Sequence, residues 1–261
     1  MARPGRATHP ERRPAVVTGA SSGIGAETAR ALAAAGLPVA LGARRVETCE
    51  EIAAEIRAAG GEAVALALDL TDDASLARFA DQATAALGEI EVVVSNAGVV
   101  APGALAEIDS TRFAAELDLN LVGAHRLVRT FVPAMTTRRR GDLVFVSSDV
   151  AVRPRPFMAA YAAGKWGLEG MVGALQMELE GTGIRASLVR PGPTWSGMGT
   201  DWSDDEAAFV LSQWIRFGLA RHPHFLHARA HAEAITSIVT APRGVHLSLI
   251  DVNPEAPVED S

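Results

Sequence analysis

From residue 15 onward, short apolar runs alternate with Ala-rich stretches of helical character, and this alternation constrains the fold more than any other feature. The apolar runs are AVVTG (15–19), PVALGA (38–43), EAVALAL (62–68), EVVVS (91–95), DLVFVS (142–147), IRASLVR (184–190) and VHLSLIDV (245–252). Helices are expected near 23–35, up to 59, and over 73–87, 110–135, 158–181 and 228–240. Strands that are apolar without polar alternation need cover on both faces, which parallel strands joined by crossover helices provide. The region 193–227 breaks the rhythm. No repeat and no linker divides the chain, so the reading is one α/β, doubly wound domain of about seven parallel strands over residues 14–254. Residues 1–13 read as a disordered arm and 255–261 as a tail.

A net charge of −7 and a pI near 5.5 argue against nucleic acid or an anionic membrane as the main partner, because both require clustered cations. No apolar run reaches the length of about 18 residues that a membrane span needs. A lone cysteine, Cys49, fits a reducing cytoplasm. The expected partner is a small molecule.

Directly after the first run comes TGASSGIG, with Gly19, Ser21, Ser22, Gly23, Ile24 and Gly25 leading into a helix. A strand, a glycine turn and a helix start in that order present free N–H groups and the positive helix end to an anion such as a pyrophosphate. Further along, Tyr161 and Lys165 lie one helical turn apart and share a face. They are the only tyrosine and the only lysine in a chain with 24 Lys plus Arg, so the one ammonium stands beside the one phenol. Lowering a phenol by three pKa units takes about 4 kcal/mol of preferential stabilisation of the phenolate, and a nearby ammonium has the right sign to contribute it.

With these motifs the chain resembles the short-chain dehydrogenase/reductase family, a group with the Rossmann fold. Ser95-Asn96-Ala97-Gly98 is similar to the family's Asn-Asn-Ala-Gly, Ser148 is the serine thirteen residues before the tyrosine, and Pro191-Gly192 is the Pro-Gly after the sixth strand. The resemblance implies a nicotinamide dinucleotide held by the glycine turn, by Asn96, Ala97 and Gly98, by Tyr161 and Lys165, and by Pro191, Gly192 and Thr194. It implies that Tyr161 is the general acid and base, that Ser148 bonds the substrate oxygen, that Lys165 holds the ribose, and that Asn120 positions a water in the proton path. Asp69 and Leu70 correspond to the pair that contacts adenine; Thr71 is the natural cap of the helix that follows.

Where relatives that use NAD carry Asp at the end of the second strand, this chain has Ala43, followed by Arg44 and Arg45. Either arginine can pair with a 2′-phosphate, so NADP(H) is the expected cofactor. The aromatic-rich region 193–227 corresponds to the substrate lid, with Trp195 on one wall and Phe157 and Met158 on the other. Such a lid suits a hydrophobic ketone, aldehyde or alcohol. No metal is expected, although His222, His224, His227 and His231 are close in sequence. Arg138 to Arg140 read as a solvated basic loop. Apolar residues on several faces of the helices near 110–135 and 158–181 point to pairing in a homodimer or homotetramer. The alternatives are a nucleotide-sensing regulator without turnover and an epimerase or dehydratase of the same family. The intact Ser148, Tyr161 and Lys165 favour turnover.

Overall fold

The computed structural model describes residues 9–10, 12–195, 202–219, 222 and 224–256. Along the chain run β1 (Ala15–Thr18), α1 (Gly23–Ala34), β2 (Val39–Ala43), α2 (Val46–Ala58), β3 (Ala63–Ala67), α3 (Asp73–Leu87) and β4 (Val92–Ser95). There follow α4 (Ser110–Leu117), α5 (Gly123–Arg138), β5 (Gly141–Val146), α6 (Ala159–Glu178), β6 (Ile184–Pro191), β7 (Thr194–Trp195), α7 (Asp204–Arg216), β8 (Leu226–His227), α8 (Ala228–Thr240) and β9 (Leu249–Val252). Seven strands form one parallel sheet in the order β3-β2-β1-β4-β5-β6-β9, as the apolar runs predict.

Side chains of a strand alternate between faces, so an unbroken apolar run serves two cores at once. In β1 and β4, Val17, Val92 and Val94 join the core built with Leu32 of α1, Ile52 and Ile56 of α2, and Ile235 and Ile238 of α8. Val16 and Val93 face the opposite core, with Leu76 and Phe79 of α3, Leu127 and Phe131 of α5, and Leu168 and Val172 of α6. The chain steps from β1 out to β2 and β3, then returns across β1 to β4. That reversal opens a crevice at the carboxyl ends of β1 and β4.

Four expectations change. The predicted helix over 110–135 is two α-helices joined by a π-helical turn, Asp118–Val122. The arm predicted to be loose through residue 13 is docked at its end: buried Arg13 pairs with Asp142, which Arg185 also grips at 2.6 Å, while Arg12 pairs with Glu62 at 2.6 Å. Arg13 is buried, and the carboxylate that it shares with Arg185 supplies its counter-charge, which ties the end of the arm to β5 and β6. Residues 1–8 and 11 of that arm lie outside the described residues. Arg138 and Arg140 are not merely solvated; both reach buried Glu91, Arg140 at 2.7 Å. Most of the apolar surplus expected to drive pairing is also consumed in the core, where Leu127, Leu175 and Leu179 are buried.

Candidate active site

Every strand that borders the crevice delivers one of the singled-out segments at its carboxyl end. After β1, Gly19 adopts φ +65, and a Cβ there would lie 2.7 Å from Ala97 Cα, so the turn closes against the β4 segment only as glycine. Thr18 welds the two segments: its Oγ1 accepts from the backbone N–H of Asn96 at 3.0 Å and of Ala97 at 3.1 Å. Asn96 returns the contact through Nδ2, which donates to Thr18 O at 3.0 Å. Helix α1 starts at Gly23, its N-cap Ser22 makes no side-chain cap bond, and its first turn carries no acidic residue. Free N–H groups without a competing carboxylate fit an anion.

Beside that turn, Arg45 Nη2 donates to Ser21 Oγ at 3.0 Å and to Ser22 Oγ at 3.5 Å. Arg44 is exposed, and its charge contributes to holding the Asp69 carboxyl below its usual range, after the Thr71 hydroxyl and N–H that bond it at 2.7 and 2.9 Å. Leu70 is buried. The cap of α3 is Asp72, which accepts from Ala74 N, and not Thr71, whose hydroxyl is committed to Asp69.

Tyr161 and Lys165 sit on α6 and are buried, with the ammonium 5.6 Å from the phenol ring centre. Lys165 Nζ donates to Val146 O at 2.8 Å, at the end of β5. Gly98 leaves room there: a Cβ would lie 2.7 Å from Asn120 Oδ1 and 3.7 Å from Lys165 Nζ. Asn120, on the π turn, clamps the backbone of Val99, accepting from its N–H at 3.0 Å and donating to its carbonyl at 2.8 Å. π turns concentrate at functional sites because the extra residue redirects one side chain. Ser148 follows β5; its hydroxyl donates to Asp149 Oδ1 at 3.3 Å and accepts from Val150 N at 3.4 Å.

Among the protein's own groups, burial outweighs the lowering expected from the ammonium. Burial pushes Tyr161 up to about 12, the Ser148 hydroxyl opposes that shift, and Asp149 adds to it. Burial also pushes Lys165 down to about 8, with the Glu169 carboxylate opposing. For both side chains desolvation is the largest influence and outweighs the groups that oppose it. By themselves, therefore, the protein's groups keep the phenol protonated at neutral pH.

Several residues that the sequence analysis passed over complete the site. Arg155 grips Asp149 through both terminal nitrogens, one at 2.7 Å, and its guanidinium lies 4.9 Å from the Trp214 ring centre. Glu169 accepts from Ser147 at 2.6 Å and from Arg190 at 2.8 Å, tying the helix of Lys165 to β6. Glu116, one turn before Asn120, is buried, and burial raises its carboxyl to about 7 against the Ala101 backbone and Arg112. The proximity of Asp149 to Ser148 and of Glu116 to Asn120 in the sequence is the only signal that could have marked them.

Phe157 and Met158 precede α6, close in the chain to Tyr161. Phe157 takes φ +64, an unfavourable left-handed backbone for a bulky residue, and its ring meets Phe209 edge-on at 4.8 Å. Met158 and Tyr161 pack with Val100 and Val150, and Trp202 and Trp214 of the lid region pack on this cluster. Trp195 is not among them; it is 67% exposed and pairs with Phe225 at 4.9 Å. Its place on the two-residue strand β7, outside the body of the lid, accounts for the difference. Pro191 and Gly192 end β6, and Thr194 on β7 bonds Gly192 O at 2.7 Å. Lid residues 196–201, 220, 221 and 223 lie outside the described residues. Among the described residues no group of three or more His, Cys, Asp or Glu could hold a metal. No helix among them is long and apolar enough to cross a membrane.

Glu116 yields a stability prediction with a definite sign. A carboxyl raised from 4.5 to about 7 in the folded state stabilises fully below pH 4.5, and that contribution is lost as pH rises through 7. Glu116→Gln removes the proton linkage, so it should melt about 5 °C above the wild type at pH 8 and near it at pH 5, by calorimetry. An equal offset at both pH values would refute the assignment.

A family model described as short chain dehydrogenase matches residues 13–207. Among curated proteins, the chain is 37% identical over 190 residues to a glycine betaine reductase of Emericella nidulans, covering 72% of this chain and 15% of that much longer protein. Among solved structures, it is similar to an alcohol dehydrogenase of the archaeon Thermococcus sibiricus complexed with 5-hydroxy-NADP, with a TM-score of 0.80, 29% identity, and 93% and 96% of the two chains covered. A metagenomic short-chain oxidoreductase in complex with NADP gives a TM-score of 0.78 at 34% identity, covering 93% and 97%.

Proposed function

The chain belongs to the short chain dehydrogenase family, and from that premise we propose that it is an NADP(H)-dependent oxidoreductase that interconverts a hydrophobic ketone or aldehyde and its alcohol. The observation that carries this reading is the convergence of Ser148, Tyr161, Lys165 and Asn120 on the crevice beside a glycine turn with an uncapped, acid-free helix start. The nicotinamide, when bound, supplies or accepts the hydride.

In this reading Gly19, Ser21, Ser22, Gly23, Ile24 and Gly25 hold the pyrophosphate, and Asn96, Ala97, Gly98, Pro191, Gly192 and Thr194 flank the nicotinamide half. Asp69 and Leu70 border the adenine. Arg45, already bonded to the serines of the turn, takes the 2′-phosphate, with Arg44 beside it. The two structures solved with NADP and 5-hydroxy-NADP support the choice of nucleotide. Lys165 holds the ribose hydroxyls with the N–H groups not given to Val146 O.

Tyr161 gives its proton to the carbonyl oxygen in reduction and takes it back in oxidation, while Ser148 turns its one hydrogen from Asp149 to the same oxygen and orients it. Asn120 keeps the 98–100 segment in place and lines the proton path. Met158, Phe157, Trp202, Trp214 and Phe209 form the apolar walls, which exclude water from the reacting carbon. We assign the protein to the cytoplasm as a homodimer or homotetramer, with exposed Trp166 and Met177 of α6 at the contact.

The test is a panel of hydrophobic ketones, aldehydes and alcohols followed through NADPH absorbance. Turnover of at least one compound, faster with NADPH than with NADH, is expected. A protein that binds NADPH yet turns over none of the panel would favour the regulator.

A further inference from the structure

His231 has no role in the chemistry above, yet it is wholly buried on α8, and its Nε2 lies 2.6 Å from Thr194 Oγ1. Thr194 has one hydroxyl hydrogen, and its second close partner, Gly192 O at 2.7 Å, can only accept. The hydrogen therefore goes to Gly192 O, and His231 must donate to Thr194 through Nε2–H. The other ring nitrogen agrees: Nδ1 is buried without a partner among the described residues, and a bare lone pair is tolerated there more easily than an orphan N–H. Burial holds the ring well below its usual range, at about 4, so it is neutral.

Thr194 stands at the root of the lid. The chain leaves the sheet at β7 and returns at β8, where Thr194 pairs with Leu226, and Leu226 N donates to Pro193 O at 3.0 Å. His231 lies one turn into the helix that follows, in a helix whose Ile235 and Ile238 are fixed in the core.

We propose that His231 is a positioning residue for nucleotide binding: by donating to Thr194 it commits that hydroxyl to Gly192 and leaves its free lone pair as an acceptor that a carboxamide N–H of the nicotinamide would use. This rests on the reading of the crevice as an NADP(H) site. His231 bonds the lid root to the body of the protein and sets the polarity of one contact to the ligand. Reversed, with Thr194 donating to His231, Gly192 O would lose its donor and two acceptor oxygens would face each other 2.7 Å apart.

The experiment is titration of the full chain with NADPH by nucleotide fluorescence, alongside melting curves without nucleotide. His231→Phe keeps the ring and removes the donor; it should raise Kd about tenfold, the equivalent of one lost bond. His231→Gln restores an N–H at a similar reach and should recover binding to within about threefold. In a Thr194→Val background, His231→Phe should add nothing further. Unchanged Kd in His231→Phe, a Gln variant as weak as Phe, or effects that multiply in the double variant would each overturn the proposal. If the Phe variant fails to fold, the Gln and Thr194→Val arms decide: binding within threefold for Gln together with a tenfold loss for Val supports the relay, and any other pairing refutes it. Failure of the underlying reading is separate, because the unmodified protein would then not bind NADPH at all.

Discussion

Tyr161→Phe should lower kcat by about a hundredfold to ten-thousandfold in both directions, the range that removal of a positioned acid–base group produces. No other group is placed to substitute. Lys165 points its ammonium at Val146 O, and the Ser148 hydroxyl is held between Asp149 and Val150. The lost hydroxyl leaves the ring packed with Val100, Val150 and Met158, so folding and NADPH affinity should stay within about twofold of the wild type. Because the phenol lies at about 12 in the protein alone, it is protonated and ready to donate at neutral pH. Steady-state rates with the best substrate of the panel, together with a fluorescence Kd, make the check. A Phe variant that keeps more than a tenth of the wild-type kcat would exclude Tyr161 as the acid.

The second large effect concerns the choice of nucleotide. Ala43 ends β2, buried beside the turn, and Arg45 already reaches across to Ser21 and Ser22. Ala43→Asp combined with Arg45→Ala places a carboxylate where a 2′-phosphate would sit and removes its cation. A charge-assisted bond of about 1.5–3 kcal/mol lost and a repulsion gained should shift the ratio of kcat/KM for NADPH over NADH toward NADH by tenfold or more. The carboxylate would in turn accept from the 2′- and 3′-hydroxyls of the adenine ribose. A ratio unchanged by the double substitution would show that Arg45 serves only the turn.

How much of this was legible in the residues themselves differs from element to element. The apolar runs determined the seven parallel strands; β1, β2, β4 and β5 are buried throughout, while the edge strands β3 and β9 are partly exposed. Glycines at 19, 23 and 25 determined the tight turn after β1, since positive φ at 19 and 23 and close approach at 19 and 25 leave no other choice. The four-residue spacing of Tyr161 and Lys165 put both on one helix face.

Tertiary structure alone decided the rest. The π turn at 118–122 and the clamp of Asn120 on Val99 depend on contacts between segments about twenty residues apart, which helical periodicity does not register. Burial raises the pKa of Tyr161 above what its neighbouring ammonium alone suggests, because desolvation is a property of everything packed around a group, not of its neighbour in sequence. Arg13 joined the core because Asp142 and Arg185 converge on it from distant strands. Trp195 lost its expected place to Trp202 and Trp214, and His231 met Thr194 across the lid root. Local pattern determines which elements form and which chemical groups they carry, whereas the direction in which those groups face, and what surrounds them, is fixed only when distant segments pack.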